Sequence, residues 1–305
     1  MAEIGAKGHV AVPIGETSTP PFVRLPDASA LFLDRAARFR HLADRHELGP
    51  YLALLAGIAD VQHAIQDGLP EPEVPPVAEQ ERSHRFGMPP LDRAGFPGHA
   101  VCQATLRRFL AGATVLDMPP GPRAALDRVA ARGGPGQAAM ARAVLDHAIP
   151  FEELAEHVLV AAGLQVHAAR CAARLEPGLL GPVGEGACPA CGSPPVSSVV
   201  VGWHGAHGAR FCACSLCGTL WNAVRIRCTA CGSTKGISFS ELEGGPGTVK
   251  AETCAECRTY LKVLYQTKDP GLDPVADDVA TSALDILVTA TGLRRSGMNP
   301  FLLGY

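Results

Sequence analysis

The chain has 305 residues, 47% of them hydrophobic and 19% charged, with a formal net charge of -3 at pH 7. It is long enough for more than one packed core and too apolar to be a disordered chain. Its charge balance excludes a global basic field that would draw it to nucleic acid or an anionic membrane.

The N-terminus lacks an apolar core of signal-peptide length, and no run is long and apolar enough for a bilayer. The expected address is the cytoplasm, without membrane insertion, where thiols stay reduced. Residues 1–26, rich in Gly, Pro and Thr, read as a loose N-terminal tail. Asp27 stands where an N-cap belongs, ahead of Leu31, Phe32, Arg35, Ala36, Phe39 and Leu42 at helical spacing. Gly49-Pro50 ends that helix, and Tyr51, Leu54, Leu55, Ile58, Val61 and Ile65 mark a second. Residues 69–98, punctuated by prolines, read as an extended connection. Helices are expected from Val101 to Leu110, over 122–132 and over 136–147. A longer one opens at Pro150, with Phe151, Leu154, Val158, Ala162 and Val166 on its apolar face. Residues 27–178 thus form an all-helical domain without strand signals. His157 and His167 on its last helix read as satisfied histidines, and the solitary Cys102 and Cys171 as small buried hydrophobes.

After a Gly/Pro-rich hinge the composition changes. Short β-branched runs at 196–201 and 260–265 alternate with four C-x-x-C pairs: Cys188/Cys191, Cys214/Cys217, Cys228/Cys231 and Cys254/Cys257. A shift of 40 residues lays the first two pairs on the last two, CPACGS on CTACGS and Thr219 on Thr259. Such matched offsets mark a tandem duplication of one metal-binding unit, with a first four-cysteine ribbon at 186–226 and a second at 227–268.

A divalent ion in a small fold takes four soft ligands at tetrahedral corners, with metal–sulfur bonds of about 2.3 Å. Each C-x-x-C turn supplies two, and the 22 residues between paired turns are enough for a hairpin. Redox-active C-x-x-C chemistry would instead need one motif between a strand and a helix. Gly192, Gly218 and Gly232 follow three of the pairs and permit positive φ. Arg258 holds the fourth such position, predicting a different or more strained turn. Cys212 is a bystander, because 40 residues on stands Glu252. His204 and His207 fall where the first hairpin turns and read as solvated. Four sulfur donors suit zinc and rubredoxin-type iron alike, with zinc the commoner in ribbons of this kind.

Asp273-Pro274 reads as a cap and first position of a final helix within residues 273–305, with Val279, Ala283, Ile286, Leu287 and Ala290 on its apolar face. Asp277 and Asp278 complement its positive dipole end, and Arg294 and Arg295 its other end; both pairs are also candidates for docking. Trp221 fits a ribbon core and a contact surface equally well.

CPACGSPPVSS, GARF-x-x-CSLCGTLW, VRIRC-x-x-C and AETC-x-x-C-x-x-YLK, in that order, resemble the FdhE family of formate dehydrogenase accessory proteins. DPVADDVA, LD and NPF continue the likeness, and YLALLAGIADVQ fits it more loosely. Leu220 stands where many relatives carry glutamate, and 69–99 is poorly matched. The resemblance implies a cytoplasmic maturation factor, not an enzyme, that contacts the catalytic subunit of respiratory formate dehydrogenase. It implies a helical domain joined to two rubredoxin-like domains that bind iron through the eight paired cysteines, which moves the metal preference to iron with zinc as alternative. Two other classes fit the residues: a rubredoxin-like electron-transfer protein and a zinc-ribbon nucleic-acid binder. Against the last, residues 186–268 carry eight Lys/Arg and four Glu, a surplus that two four-thiolate sites at about two negative charges each would cancel.

Overall fold

The structure, a computed structural model, describes residues 19–302. Most of the tail reading, residues 1–18, lies outside them. Helices α1 (Leu31–Ala43), α2 (Gly49–Ala64), α3 (Val77–Arg85), α4 (Ala100–Ala113), α5 (Pro120–Ala131), α6 (Gly133–Leu145) and α7 (Leu154–Ala172) make the first part. Their core is built from Phe32, Phe39, Leu52, Leu55, Ile58, Leu106, Phe109, Leu126 and Leu164, all buried. The central helix is α7, whose residues are buried nearly all round; its apolar content serves several packed neighbours instead of one face.

Local chemistry moves several boundaries. The helix α1 starts at Leu31, later than expected, but Asp27 still serves its entry: its carboxylate accepts from the Ser29 N–H and hydroxyl, and its carbonyl from the Leu31 N–H. Pro50 sits in the first turn of α2, where its missing N–H costs nothing. The stretch at 69–98, expected as an extended connection, contains α3 and a 3-10 turn at Arg93–Gly98. The α3 sequence VAEQERSHR carries almost no apolar stripe, so helical periodicity is invisible there. Its one buried side chain, Gln80, donates to the Pro75 carbonyl and accepts from the Glu176 N–H. Pro150 precedes a 3-10 turn, and Phe151 is exposed where an apolar contact was expected.

The sheet strands are β1 (Val23–Arg24), β2 (Pro195–Val200), β3 (Arg210–Cys214), β4 (Leu220–Ala223), β5 (Ile237–Ser240), β6 (Val249–Cys254), β7 (Thr259–Tyr265) and β8 (Arg294–Arg295). The order is β1-β4-β3-β2-β7-β6-β5, with β8 alongside β7. Each ribbon is a three-stranded antiparallel meander. The two join into one sheet through the parallel pair β2–β7, where Ser198, Val199 and Val200 face Val263, Leu264 and Tyr265. Strand β1 lies within the residues read as a loose tail: Val23 pairs with Trp221 and covers the outer edge of β4.

The C-terminal helix also departs from expectation. Asp273 does accept from the Val275 and Ala276 N–H groups, but the helix breaks at Thr281 into α8 (Ala276–Ala280) and α9 (Ser282–Ala290). Ile286 and Leu287 are exposed, while Leu284, Asp285 and Val288 are buried. Buried carboxylates decide this orientation. Asp278, fully buried, and Asp285 share Lys262 and Arg295, with Lys262 Nζ 2.5 Å from Asp285 and Arg295 2.5 Å from Asp278. Asn299 and Tyr260 donate to the same carboxylates. Asp277 pairs with Arg38 at 2.7 Å, and Asp273 with Arg35 at 3.4 Å, tying α1 to α8. Asp277, Asp278 and Arg295 are therefore anchors between elements, a role beyond the helix dipole.

Arg210 makes a second internal tie. It is fully buried and bridges the ribbons, donating to both Glu252 carboxylate oxygens at 2.8 and 3.0 Å and to carbonyls of the 224–227 connection. Replacing Glu252 by Leu strands a buried guanidinium and is expected to cost about 3–5 kcal/mol. Urea unfolding should show this as a lower midpoint, with R210M/E252L less destabilised than E252L.

Candidate metal centres

The ribbon turns present their cysteines in matched geometry. In the first turn of each ribbon the N–H of the first cysteine donates to a serine carbonyl: Cys188 to Ser193 at 2.9 Å and Cys228 to Ser233 at 2.8 Å. The glycine N–H returns to that cysteine's carbonyl, Gly192 to Cys188 at 2.8 Å and Gly232 to Cys228 at 2.9 Å. Gly192, Gly218 and Gly232 have φ of 72, 74 and 73°, and Arg258 follows at 55°. The fourth turn thus keeps the same left-handed backbone with a side chain that resists it. The Leu216 and Cys217 N–H groups each lie 3.4 Å from Cys214 Sγ, the arrangement that favours a thiolate.

These turns bring together Cys188, Cys191, Cys214 and Cys217 in one group and Cys228, Cys231, Cys254 and Cys257 in another. In each, the sulfurs lie within 4.8 Å of one another. Sulfur–sulfur distances are 3.5, 3.6 and 3.7 Å in the first group and 3.6 and 3.8 Å in the second. A tetrahedron with metal–sulfur bonds of about 2.3 Å has edges of roughly 3.8 Å, whereas a disulfide needs about 2.05 Å. The donor set therefore fits a tetrahedral thiophilic ion, and both sites could hold one. Among the first four thiols, hydrogen bonds from Cys188, Cys214 and Cys217 hold Cys191 well below the ordinary thiol range, while burial pushes Cys188 and Cys214 up. A bound ion would replace these bonds and be held by all four as thiolates.

Thr219 and Thr259 add a feature visible beforehand only as a repeat match. Their hydroxyls lie 3.2 Å from Cys217 Sγ and 3.0 Å from Cys257 Sγ. The surroundings of the two sites differ. Gln165 on α7 donates to the Ser215 carbonyl, and is itself held by Gln62 on α2. The Leu91 N–H donates to the Ala190 carbonyl, and Leu216 belongs to the main core. Both turns of the first site are thus clasped by the helical part.

The other candidates lie apart. Cys212, Cys102 and Cys171 are buried, and burial pushes their thiols up to about 11, 12 and 12. His204 and His207 sit in the β2–β3 turn and join neither group. His157 Nδ1 lies 2.7 Å from the Glu153 carbonyl, which accepts its proton. His167 departs from the satisfied reading: its Nδ1 is buried without a partner, and burial brings the ring down to about 4. It packs edge-on to Phe96 and 3.6 Å from Cys171 Sγ. Trp221 is buried in the first ribbon beside Phe22, at the wall of a cavity of about 460 Å³ that also reaches Cys212 and Cys228. No helix among the described residues is long and apolar enough to cross a membrane.

A helical domain carrying two four-cysteine ribbons in one sheet is a protein built around paired thiolate metal sites. The chain belongs to the FdhE family: the models for the FdhE N-terminal, central and C-terminal domains match residues 20–185, 187–225 and 226–302. It is 46% identical over 294 residues to the FdhE homolog of Rhizobium meliloti (strain 1021), covering 96% of each chain. It is 33% identical to the FdhE protein of Salmonella arizonae, covering 93% of this chain and 91% of the relative. The crystal structure of the FdhE protein from Pseudomonas aeruginosa superposes with a TM-score of 0.82 at 31% identity, covering 93% of this chain and 99% of that one.

The left-handed turns yield a paired expectation. Gly218→Ala places a Cβ 2.9 Å from Leu31 Cδ2 at a φ of 74° and should cost about 1–2 kcal/mol. Arg258→Gly relieves the same strain and should be neutral or stabilising by up to about 1 kcal/mol. Thermal unfolding of the two metal-loaded variants beside the parent measures both.

Proposed function

We propose that this chain is a maturation factor for respiratory formate dehydrogenase, acting in the cytoplasm on the catalytic subunit and not itself an enzyme. The observation that carries the reading is the likeness to FdhE proteins along nearly the whole chain, together with two four-cysteine groups at ligand spacing. The eight cysteines Cys188, Cys191, Cys214, Cys217, Cys228, Cys231, Cys254 and Cys257 are the proposed ligands, and iron the proposed metal. Four thiolates suit zinc as well; iron is favoured by the family's rubredoxin-like character.

We take residues 27–178 as the helical domain, 186–226 and 227–268 as the ribbons, and 273–305 as the C-terminal helix and tail. Because β2 and β7 share a sheet, the ribbons would present one joint surface to a client. Elsewhere, the buried charges Arg210, Glu252, Lys262, Asp278 and Arg295 hold elements together, which suits a scaffold for docking.

Affinity purification of the tagged protein from its native cell should recover a formate dehydrogenase catalytic subunit. Elemental analysis of the same sample should give two iron ions per chain, with visible absorbance that bleaches on reduction. A colourless, zinc-loaded sample overturns iron and any electron-transfer role. A variant with all eight cysteines changed to Ser should lose formate dehydrogenase activity in the host; unchanged client recovery and activity would remove the metal from the mechanism.

A further inference from the structure

We infer that the two sites are kinetically unequal, with Cys231 the ligand through which the second site exchanges its ion while the first is a fixed clasp. The inference rests on the reading of both groups as metal sites. The ribbons are repeats in sequence, yet their sulfurs meet different surroundings. Cys188, Cys191, Cys214 and Cys217 are all buried, none more than 3% exposed. In the second group Cys228 and Cys254 are buried, Cys257 is half-buried and Cys231 is exposed.

The difference follows from what covers each turn. The first site lies at the seam, with Leu91 bonded to Ala190 and Gln165 bonded to Ser215. Gly192 lies against Pro89, and Gly218 against Leu31 and Pro26. Reaching those sulfurs means parting the helical domain from the sheet. At the second site, the hydrogen bonds of residues 228–231 and 254–257 stay within their own ribbon. The nearby Glu185–Arg227 pair is itself exposed. A chelator or competing thiolate can approach Cys231 with no prior opening. Exchange of an ion held there would require an incoming ligand to bind as one thiolate leaves and takes a proton from solvent. The exposed sulfur is the one positioned to leave, and half-buried Cys257 is next.

The test uses the full chain loaded with two zinc ions, challenged with the chromophoric chelator 4-(2-pyridylazo)resorcinol and pulse-labelled in parallel with iodoacetamide. The expected release is biphasic, one ion per phase, with rates at least about tenfold apart because only the slow phase requires domain opening. Peptide mass spectrometry should show label first on Cys231, then Cys257, and on the first four cysteines only during the slow phase. Cys231→Ser should remove the fast ion and leave the slow phase in place. Release of both ions in one phase, or early labelling of Cys188, Cys191, Cys214 or Cys217, overturns the inference; the labelling pattern of the parent protein decides this even where the variant folds poorly. A chain that takes up no metal fails the metal reading itself, and absence of a client leaves the release kinetics untouched.

Discussion

A three-stranded ribbon of about forty residues buries too little apolar surface to stand alone. That shortage is the constraint on which the rest of this structure depends. Two remedies are used together. A four-cysteine group that could hold a metal ion joins the turns of each ribbon, and the parallel β2–β7 pair fuses both ribbons into one sheet. The first ribbon gains a third support, because α7 and the 89–91 segment cover its turns, and its cysteines belong to the same core as Phe109 and Leu164.

The C-terminal segment locks this assembly by charge. Asp273 and Asp277 reach Arg35 and Arg38 on α1, while Asp278 and Asp285 reach Lys262 and Arg295 on the sheet. One short acidic stretch therefore spans helical domain and ribbon. Buried charges of this kind add little net stability over apolar packing, but breaking one partner leaves an uncompensated ion. Their value lies in fixing one arrangement. Burial pushes the Asp277 carboxyl up to about 6 in spite of Arg38, an indication of how dry this joint is.

Periodicity and spacing made the helices and the two thiolate groups legible. The 40-residue offset paired each cysteine with its partners, because metal geometry writes itself into sequence as fixed intervals. Elements without an apolar stripe stayed hidden: α3 buries one glutamine, and β1 is two residues long. The tertiary uses of charge were equally invisible. Lys262, Arg210 and Asp278 look like surface residues until distant strands meet over them, and the face assigned to the last helix failed because Asp285 is buried where Ile286 was expected. Sequence repeats also conceal environment, so equal motifs gave no sign of unequal exposure.

That inequality is a consequence of how the copies are joined. The pairing is head to tail: the first strand of ribbon one meets the last strand of ribbon two, and no symmetry axis makes their surroundings alike. Residues at the junction must then diverge even though the motif does not. Glu252 holds the position of Cys212 and receives Arg210 across the sheet, while Lys250, the counterpart of Arg210, reaches Glu241 near the open side. Likewise β2 is covered by β7, and β5, its counterpart, has no strand on its outer edge among the described residues. Both copies keep the four cysteines, and α9 packs on the second ribbon, but only the copy at the seam has its cysteines sheltered by the N-terminal helices. A duplicated metal ribbon joined this way yields one inner and one outer site from a single motif.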